Sequence, residues 1–313
     1  MWLVGLRPRF FGVIPAFILM ALVELLEEVA DGFQGVLGVS VKHLGTGESA
    51  SINGDRLFPT ASVFKVPVLV EFYRQVDRGL LSPQEQVVLT RRDKVPGSGI
   101  LKELSEGLRL PLVDLVRLMM ILSDNTATDL VATRVGLENV NRALDELGLR
   151  QTRVVRLCRE ILFDLVGLGG APLEEMTLER FEELSGSGVI GGSWSLGVED
   201  NDVTTPNEMA RLLELVDRGE AAKPESCREM LDIMGRCQTG QYRIPKYLPR
   251  ERVVLRRKTG SLPGIRNDVG LVTLKDSGEK YVLCCFTMDA EDEYEAEEAI
   301  ATTSKKVYNY FTR

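Results

Sequence analysis

The stretch Thr60-Ala61-Ser62-Val63-Phe64-Lys65-Val66-Pro67 decides how the rest of this chain is read. A small-residue approach runs into an apolar, helix-like segment that carries one serine and one lysine three positions apart. Residues i and i+3 share a helix face, so the Lys65 amine can reach the Ser62 hydroxyl and serve as its base. Ser62 would also stand at the helix start, where free backbone N–H groups stabilise negative charge developing on a substrate oxygen. Ser-x-x-Lys arises about once by chance in a chain of this length. Ser277-Gly278-Glu279-Lys280 repeats it in what reads as a hairpin turn. Taken alone, Ser62 reads as a helix N-cap beside a surface lysine, and the remaining 305 or so residues have to say otherwise.

Composition narrows the field. The chain has 313 residues and a formal charge of −8, enough length to bury a large core in one sizeable domain or two closely packed lobes. Its charges are interspersed, with no basic stripe or aromatic-basic alternation, which argues against nucleic acid and for a small-molecule or neutral-polymer partner. The five cysteines (Cys158, Cys227, Cys237, Cys284, Cys285) form neither a C-x-x-C pair nor a metal-ligand pattern, so no metal or cofactor is expected. His43 is the single histidine and falls in a strand-like run, where a surface or edge imidazole is expected. Serine chemistry here therefore calls for lysine, not histidine, as the base.

In chain order, residues 1–23 carry Arg7 and Arg9 and then an apolar run broken by Gly12 and Pro15. They read either as a signal segment or as a retained membrane-associated anchor; an exported or membrane-associated protein is favoured over a cytoplasmic one. A helical pattern over 22–33 leads to alternating strands at 36–41 and 48–53 around Gly45-Thr46-Gly47. The helix opening near Ser62 extends to Arg78, with Val66, Leu69, Val70, Tyr73 and Val76 on one face, and stops at Gly79. Residues 82–203 read as largely helical, with Ser123-Asp124-Asn125 at a break between two helices. Thr204-Thr205-Pro206-Asn207-Glu208 starts another helix through a threonine cap and a first-turn proline. Past Pro249 the pattern becomes β-rich, and 293–311 closes the chain as a helix. The expected fold is an α/β (α+β) sandwich: a mainly antiparallel sheet built from both chain ends and flanked by helices. A catalytic domain spans 24–313, with an all-helical lobe at about 82–203 inserted in it.

Lys258-Thr259-Gly260 closes the first C-terminal strand. Ser62-x-x-Lys65, Ser123-Asp124-Asn125 and Lys258-Thr259-Gly260, in this order, resemble the penicillin-recognising serine enzymes of the class A β-lactamase-like branch. Each tripeptide arises by chance in only a few per cent of such chains, and the neighbours Phe58-Pro59-Thr60-Ala61, Thr204-Thr205-Pro206 and Ser261-Leu262-Pro263-Gly264-Ile265-Arg266-Asn267-Asp268 agree. The resemblance implies Ser62 as nucleophile and Ser123 as relay of a proton toward the leaving nitrogen. It implies the N–H groups of Ser62 and Ser261 as the oxyanion hole. A substrate carboxylate would meet Lys258, Thr259, Gly260, Ser261 and Arg266. Asn125 suits Lys65 on one side and a substrate amide on the other. Burial and a second cation, Lys258, would lower the Lys65 pKa from about 10.4 and free it to act as base.

That family also carries a loop glutamate that activates the water for deacylation, usually in Glu-x-x-x-Asn. No such spacing occurs between 150 and 205; Cys158 falls about where the glutamate is expected, leaving Glu160 and Glu199 as candidates. The expected activity is therefore a serine hydrolase opening β-lactam amides through an acyl-enzyme on Ser62. The alternatives are a DD-peptidase or esterase on the same scaffold with slow β-lactam release, or a non-catalytic penicillin-binding-like module. A monomer is expected.

Overall fold

The computed structural model describes residues 16–172, 174–186 and 201–313. Helix α1 (Ala16–Asp31) leads into strands β1 (Val36–His43) and β2 (Ser49–Ile52). A two-residue strand, β3 (Phe58–Pro59), precedes a 3₁₀ turn at Ala61–Phe64, which runs without a break into α2 (Lys65–Asp77). Next come β4 (Gln86–Val88), β5 (Arg109–Pro111), and helices α3 (Leu112–Ile121), α4 (Asn125–Val135), α5 (Leu137–Glu146), α6 (Cys158–Leu165) and α7 (Leu178–Gly186). The chain returns through β6 (Val203–Thr204), α8 (Pro206–Arg218) and α9 (Pro224–Met234) to β7 (Val253–Leu262), β8 (Ile265–Leu274), β9 (Lys280–Met288) and α10 (Glu293–Phe311).

Five strands form one antiparallel sheet in the order β2-β1-β9-β8-β7. The seam between the chain's two ends is β1 against β9, paired along its whole length from Val36↔Met288 to His43↔Tyr281. Alternate residues of β9 serve two cores. Val282, Cys284 and Phe286 pack with α2, α3, α4, α8 and α9, while Tyr281, Leu283 and Cys285 pack with α1 and α10. A strand buried on both faces needs apolar residues at every position, which is why Tyr281-Val282-Leu283-Cys284-Cys285-Phe286 shows no polar alternation. Burying each such side chain contributes about 1.5–3 kcal/mol.

Helix α2 packs against α3, α4, α5 and α9, so Val68 and Phe72 are buried as well as Val66, Leu69, Val70 and Tyr73 of the predicted face, with Val76 half-buried; a helix surrounded by helices keeps little solvent stripe. One expectation changes on this frame. His43 is not at the surface: it is buried, stacks on Phe311 with ring centroids 5.0 Å apart, and accepts the Thr46 N–H at Nδ1. It belongs to the α1/α10 side of the sheet, away from α2.

Within 82–203 the described chain carries helices α3 to α7, the β4/β5 pair and loops, the longest of them between β4 and β5. One tie joins β3 to β6, Phe58↔Thr204, and Arg153 bridges to Val203. Thr205 caps α8 by accepting the Glu208 N–H, with Pro206 in the first turn, as its sequence predicts. Ser277 sits in the turn between β8 and β9, so its Ser-x-x-Lys spacing belongs to a hairpin. Residues 1–15 lie outside the described set; among the described residues no helix is long and apolar enough to cross a membrane.

Beneath β7 and β8 lies a buried ion pair, Arg257 Nη1 donating to Asp268 Oδ2 at 2.9 Å. The same carboxylate oxygen accepts Ile244 N–H. Removing the acid strands a guanidinium in a dry interior, so Asp268→Ala is expected to lower unfolding stability by about 3–5 kcal/mol in urea denaturation.

Candidate active site

Ser62 lies in the 3₁₀ turn, half-buried, with Lys65 at the first position of α2. The turn is fixed from three sides. Thr60 N–H and its hydroxyl both donate to Asp202 O. Asn267 Nδ2 on β8 donates to Pro59 O at 2.9 Å and Thr60 O at 3.0 Å. Gly260 on β7 lies so close that a Cβ there would stand 2.5 Å from Thr60 O and 3.1 Å from Ser62 N. Ala61 adopts φ 44°, a left-handed value that costs a residue with a Cβ of order 1–3 kcal/mol and persists only where surroundings enforce it.

Lys65 is wholly buried and donates three hydrogen bonds from Nζ: to Ser123 O at 2.8 Å, Ser123 Oγ at 3.0 Å and Asn125 Oδ1 at 2.8 Å. None goes to Ser62. Lys258, also wholly buried, donates to the same Ser123 Oγ at 2.9 Å and to Thr259 O at 2.6 Å. One hydroxyl thus joins two buried amines. Ser123 itself takes φ 57°, again a left-handed strain at a site residue. Burial lowers the pKa of both lysines; Lys65 lowers that of Lys258 further by charge repulsion, bringing Lys258 down to about 7.

The rest of the Ser-Asp-Asn tripeptide also holds the surrounding backbone. Asp124 caps α4 by accepting Ala127 N–H, and its other oxygen accepts Ile100 and Leu101 N–H. Asn125 donates through Nδ2 to Pro96 O, so it holds the 96–99 loop as well as Lys65.

On the sheet side, Thr259 Oγ1 lies 2.5 Å from Thr239 Oγ1, and Ser261 Oγ accepts from Arg243 Nη2 at 2.6 Å. Arg243 is buried and also donates to Gly260 O and Asn267 O at 2.9 Å. It brings a guanidinium to the strand where a carboxylate is expected. Its sequence setting, Gly240-Gln241-Tyr242-Arg243, gave no sign of this, because only the fold carries the loop to β7. Arg266 is turned elsewhere: it donates to Leu262 O and Ile265 O at 2.8 Å and pairs with Glu293.

Ser62 opens onto a cavity of about 200 Å³. Its polar lining is Ser62, Ser98, Asn125 and Ser261; α6 adds Cys158, Ile161, Leu162 and Leu165. The apolar run at 161–168 is visible in the sequence, but its place against Ser62 is not. Two buried carboxylates hold this segment in place. Asp129 accepts Cys158 and Arg159 N–H at 2.8 and 3.0 Å, and Asp202 accepts Val155 and Arg156 N–H at 2.7 and 2.9 Å. Burial raises both, Asp129 to about 6 and Asp202 to about 7, against the opposing effect of those N–H donors. Burial also raises the Cys158 thiol, although nearby Lys65 opposes it, so the thiol stays neutral. Glu160 does not line the cavity; its Oε2 accepts Leu157 N–H at 2.7 Å and caps α6. Glu199 lies outside the described residues. Among the described residues no cluster of three or more His, Cys, Asp or Glu could hold a metal ion.

Comparison with known proteins gives the same picture. The model of the beta-lactamase enzyme family matches residues 21–311. The crystal structure of a beta-lactamase from Sphaerobacter thermophilus DSM 20745 is similar at 31% identity and TM-score 0.75, covering 96% of this chain and 98% of its own. Beta-lactamase VEB-1 of Pseudomonas aeruginosa is 22% identical over 298 residues, covering 91% of this chain and 89% of its own. The structure of PBP-A matches at TM-score 0.76 and 24% identity over 93% of this chain and 96% of its own, a likeness of fold.

Gly260 supplies a direct test of this geometry. Gly260→Ala must push the Thr60-Ala61-Ser62 backbone away from β7, and a shift approaching 1 Å at a nucleophile costs on the order of 10²-fold in rate. The rate at which a serine-directed activated ester labels Ser62, followed by peptide mapping, is expected to fall by about that factor.

Proposed function

Because the chain belongs to the beta-lactamase enzyme family, we propose that it is a serine hydrolase whose Ser62 is acylated by β-lactam amides with Lys65 as base, and that it releases the acyl group slowly. The observation that carries the first half is the Ser123 hydroxyl held between two wholly buried lysines one helical turn from Ser62.

As an ammonium, Lys65 has all three protons engaged. Losing one proton, which burial favours, gives up one of those bonds and leaves a lone pair for the Ser62 proton. Ser62 Oγ then attacks the lactam carbonyl. Negative charge on the carbonyl oxygen meets the N–H groups of Ser62 and Ser261, where each donor of this kind contributes about 2.7–4 kcal/mol in comparable sites. The proton gained by Lys65 passes through Ser123 to the ring nitrogen as the C–N bond breaks. A lactam carboxylate is met by Ser261 at the cavity lining, with Thr259 and the charges of Lys258 and Arg243 behind it. Arg266 and Glu160 have no part in this scheme, since their polar atoms are committed to Glu293 and the 262–265 backbone and to the α6 cap.

The second half rests on α6. Hydrolysis needs a water held and deprotonated beside the ester. This wall offers a neutral thiol and three aliphatic side chains, while Asp129, Asp202 and Glu160 each accept backbone N–H groups. That composition favours the reading of a penicillin-binding enzyme with a long-lived adduct over one of rapid turnover.

Mixing the protein with a chromogenic cephalosporin and following colour and intact mass tests both halves. A stoichiometric burst and a persistent adduct are expected; Ser62→Ala and Lys65→Ala should give no adduct, and Cys158→Glu should raise steady turnover about ten-fold or more. Adduct formation at undiminished rate in Lys65→Ala would refute lysine as base. The pH profile follows from the lowered lysine pKa values. Acylation at saturating lactam should slow as pH falls and Lys65 becomes protonated. Half-saturation should rise above about pH 7, where Lys258 sheds the proton that binds the carboxylate; stopped-flow measurement of the two parameters separates these effects.

A further inference from the structure

The cavity at Ser62 has two unlike halves. One holds the hydroxyls and amide of Ser62, Ser98, Asn125 and Ser261; the other is built from Phe64, Ile161, Leu162, Leu165, Leu262 and Pro263. Among the described residues, no charged side chain lines it. Lys65 and Lys258 lie behind the polar half with no exposed surface, and Arg159 and Glu160, the charged neighbours of Cys158 on α6, are not in the lining.

The apolar half is a fixed wall. Cys158, Ile161, Leu162 and Leu165 follow the i, i+3, i+4, i+7 spacing of one helix face, and the first turn of that helix is gripped by Asp129. Opposite, the 96–99 loop closes down on Leu162: a Cβ on Gly97 would stand 3.4 Å from Leu162 Cδ1. At about 200 Å³ the space is below the roughly 300–1,000 Å³ of ordinary small-molecule sites, so it encloses one compact group and not a length of polymer.

Resting on the acylation reading above, we propose that Leu162 and its α6 neighbours set the specificity of the acyl donor, selecting an uncharged aryl or branched-alkyl group attached on the carbonyl side of the scissile amide. A carboxylate or ammonium there would give up its water and find no opposite charge among the described lining residues. An apolar group gains the burial that the wall offers. The carboxylate-binding half of the site recognises the opposite end of the same molecule, so the substrate is anionic at one end and apolar at the other.

Two penicillins with the same ring system test this directly, one with a phenylacetyl side chain and one with an α-carboxyphenylacetyl side chain. The second-order rate of Ser62 acylation, read by intact mass, is expected to be about ten-fold or more higher for the phenylacetyl compound in the unaltered protein. Leu162→Lys, which puts a cation on a half-buried wall position, should reduce that ratio about ten-fold, with Ser62→Ala as the control lacking any adduct. Equal rates for the two compounds in the unaltered protein would overturn the proposal while leaving acylation of Ser62 intact. An unchanged ratio in an acylating Leu162→Lys protein would also overturn it. Absence of an adduct with either penicillin would overturn the acylation reading itself, and this proposal with it.

Discussion

Two lysine amines share one serine hydroxyl inside this protein, and most of the surrounding architecture exists to keep them there. Lys65 and Lys258 have no exposed surface, yet neither faces a carboxylate of the described residues within hydrogen-bond distance; their partners there are Ser123, Asn125 and backbone oxygens. Two like charges so close, in a medium that screens them poorly, cannot both remain protonated at neutral pH without large cost. Burial and this mutual repulsion make the pair give up a proton more readily than free lysines do, and a neutral amine beside a serine is what the proposed acylation of Ser62 requires. Each element contributes one member: α2 brings Lys65, the α3–α4 junction brings Ser123 and Asn125, and β7 brings Lys258.

The same economy appears in the supports. Asn267, Gly260 and Asp202 all act on the few residues before Ser62, and strained backbone at Ala61 and Ser123 shows that the surroundings override local preference at both places. Asp124 and Asn125 hold the 95–101 loop against α4, so the tripeptide serves as scaffold as well as lining the cavity through Asn125. Polar groups at a site need such external restraint, because their own interactions are too few to fix them within the tolerance that chemistry demands.

The sequence made the fold and the motif residues legible for different reasons. Strand alternation, the Thr205-Pro206 cap and the β-rich C-terminal third are local signals, and they led to the right sheet. Ser62, Lys65, Ser123 and Lys258 were found only because three short motifs occur together in order. What stayed hidden depends on contacts distant in sequence. Arg243 has no motif and reaches Ser261 from 18 residues away. Leu162 and Leu165 lie in an apolar run that only the fold sets against Ser62, and His43, read as a surface or edge residue, is buried with the Phe311 ring of α10 against it. Glu160 and Arg266 entered as candidates through the family resemblance, and the structure shows Glu160 capping α6 and Arg266 bonded to the 262–265 backbone and Glu293.

Direct observation of lysine protonation tests this account most sharply. NMR of protein labelled with ¹³C and ¹⁵N at lysine, titrated with Lys65→Ala and Lys258→Ala proteins to assign the signals, reads the two amines separately. The account predicts that Lys258 titrates near 7 and that its pKa rises when Lys65 is removed. Two amines titrating near the ordinary value of about 10.4, each indifferent to loss of the other, would contradict it.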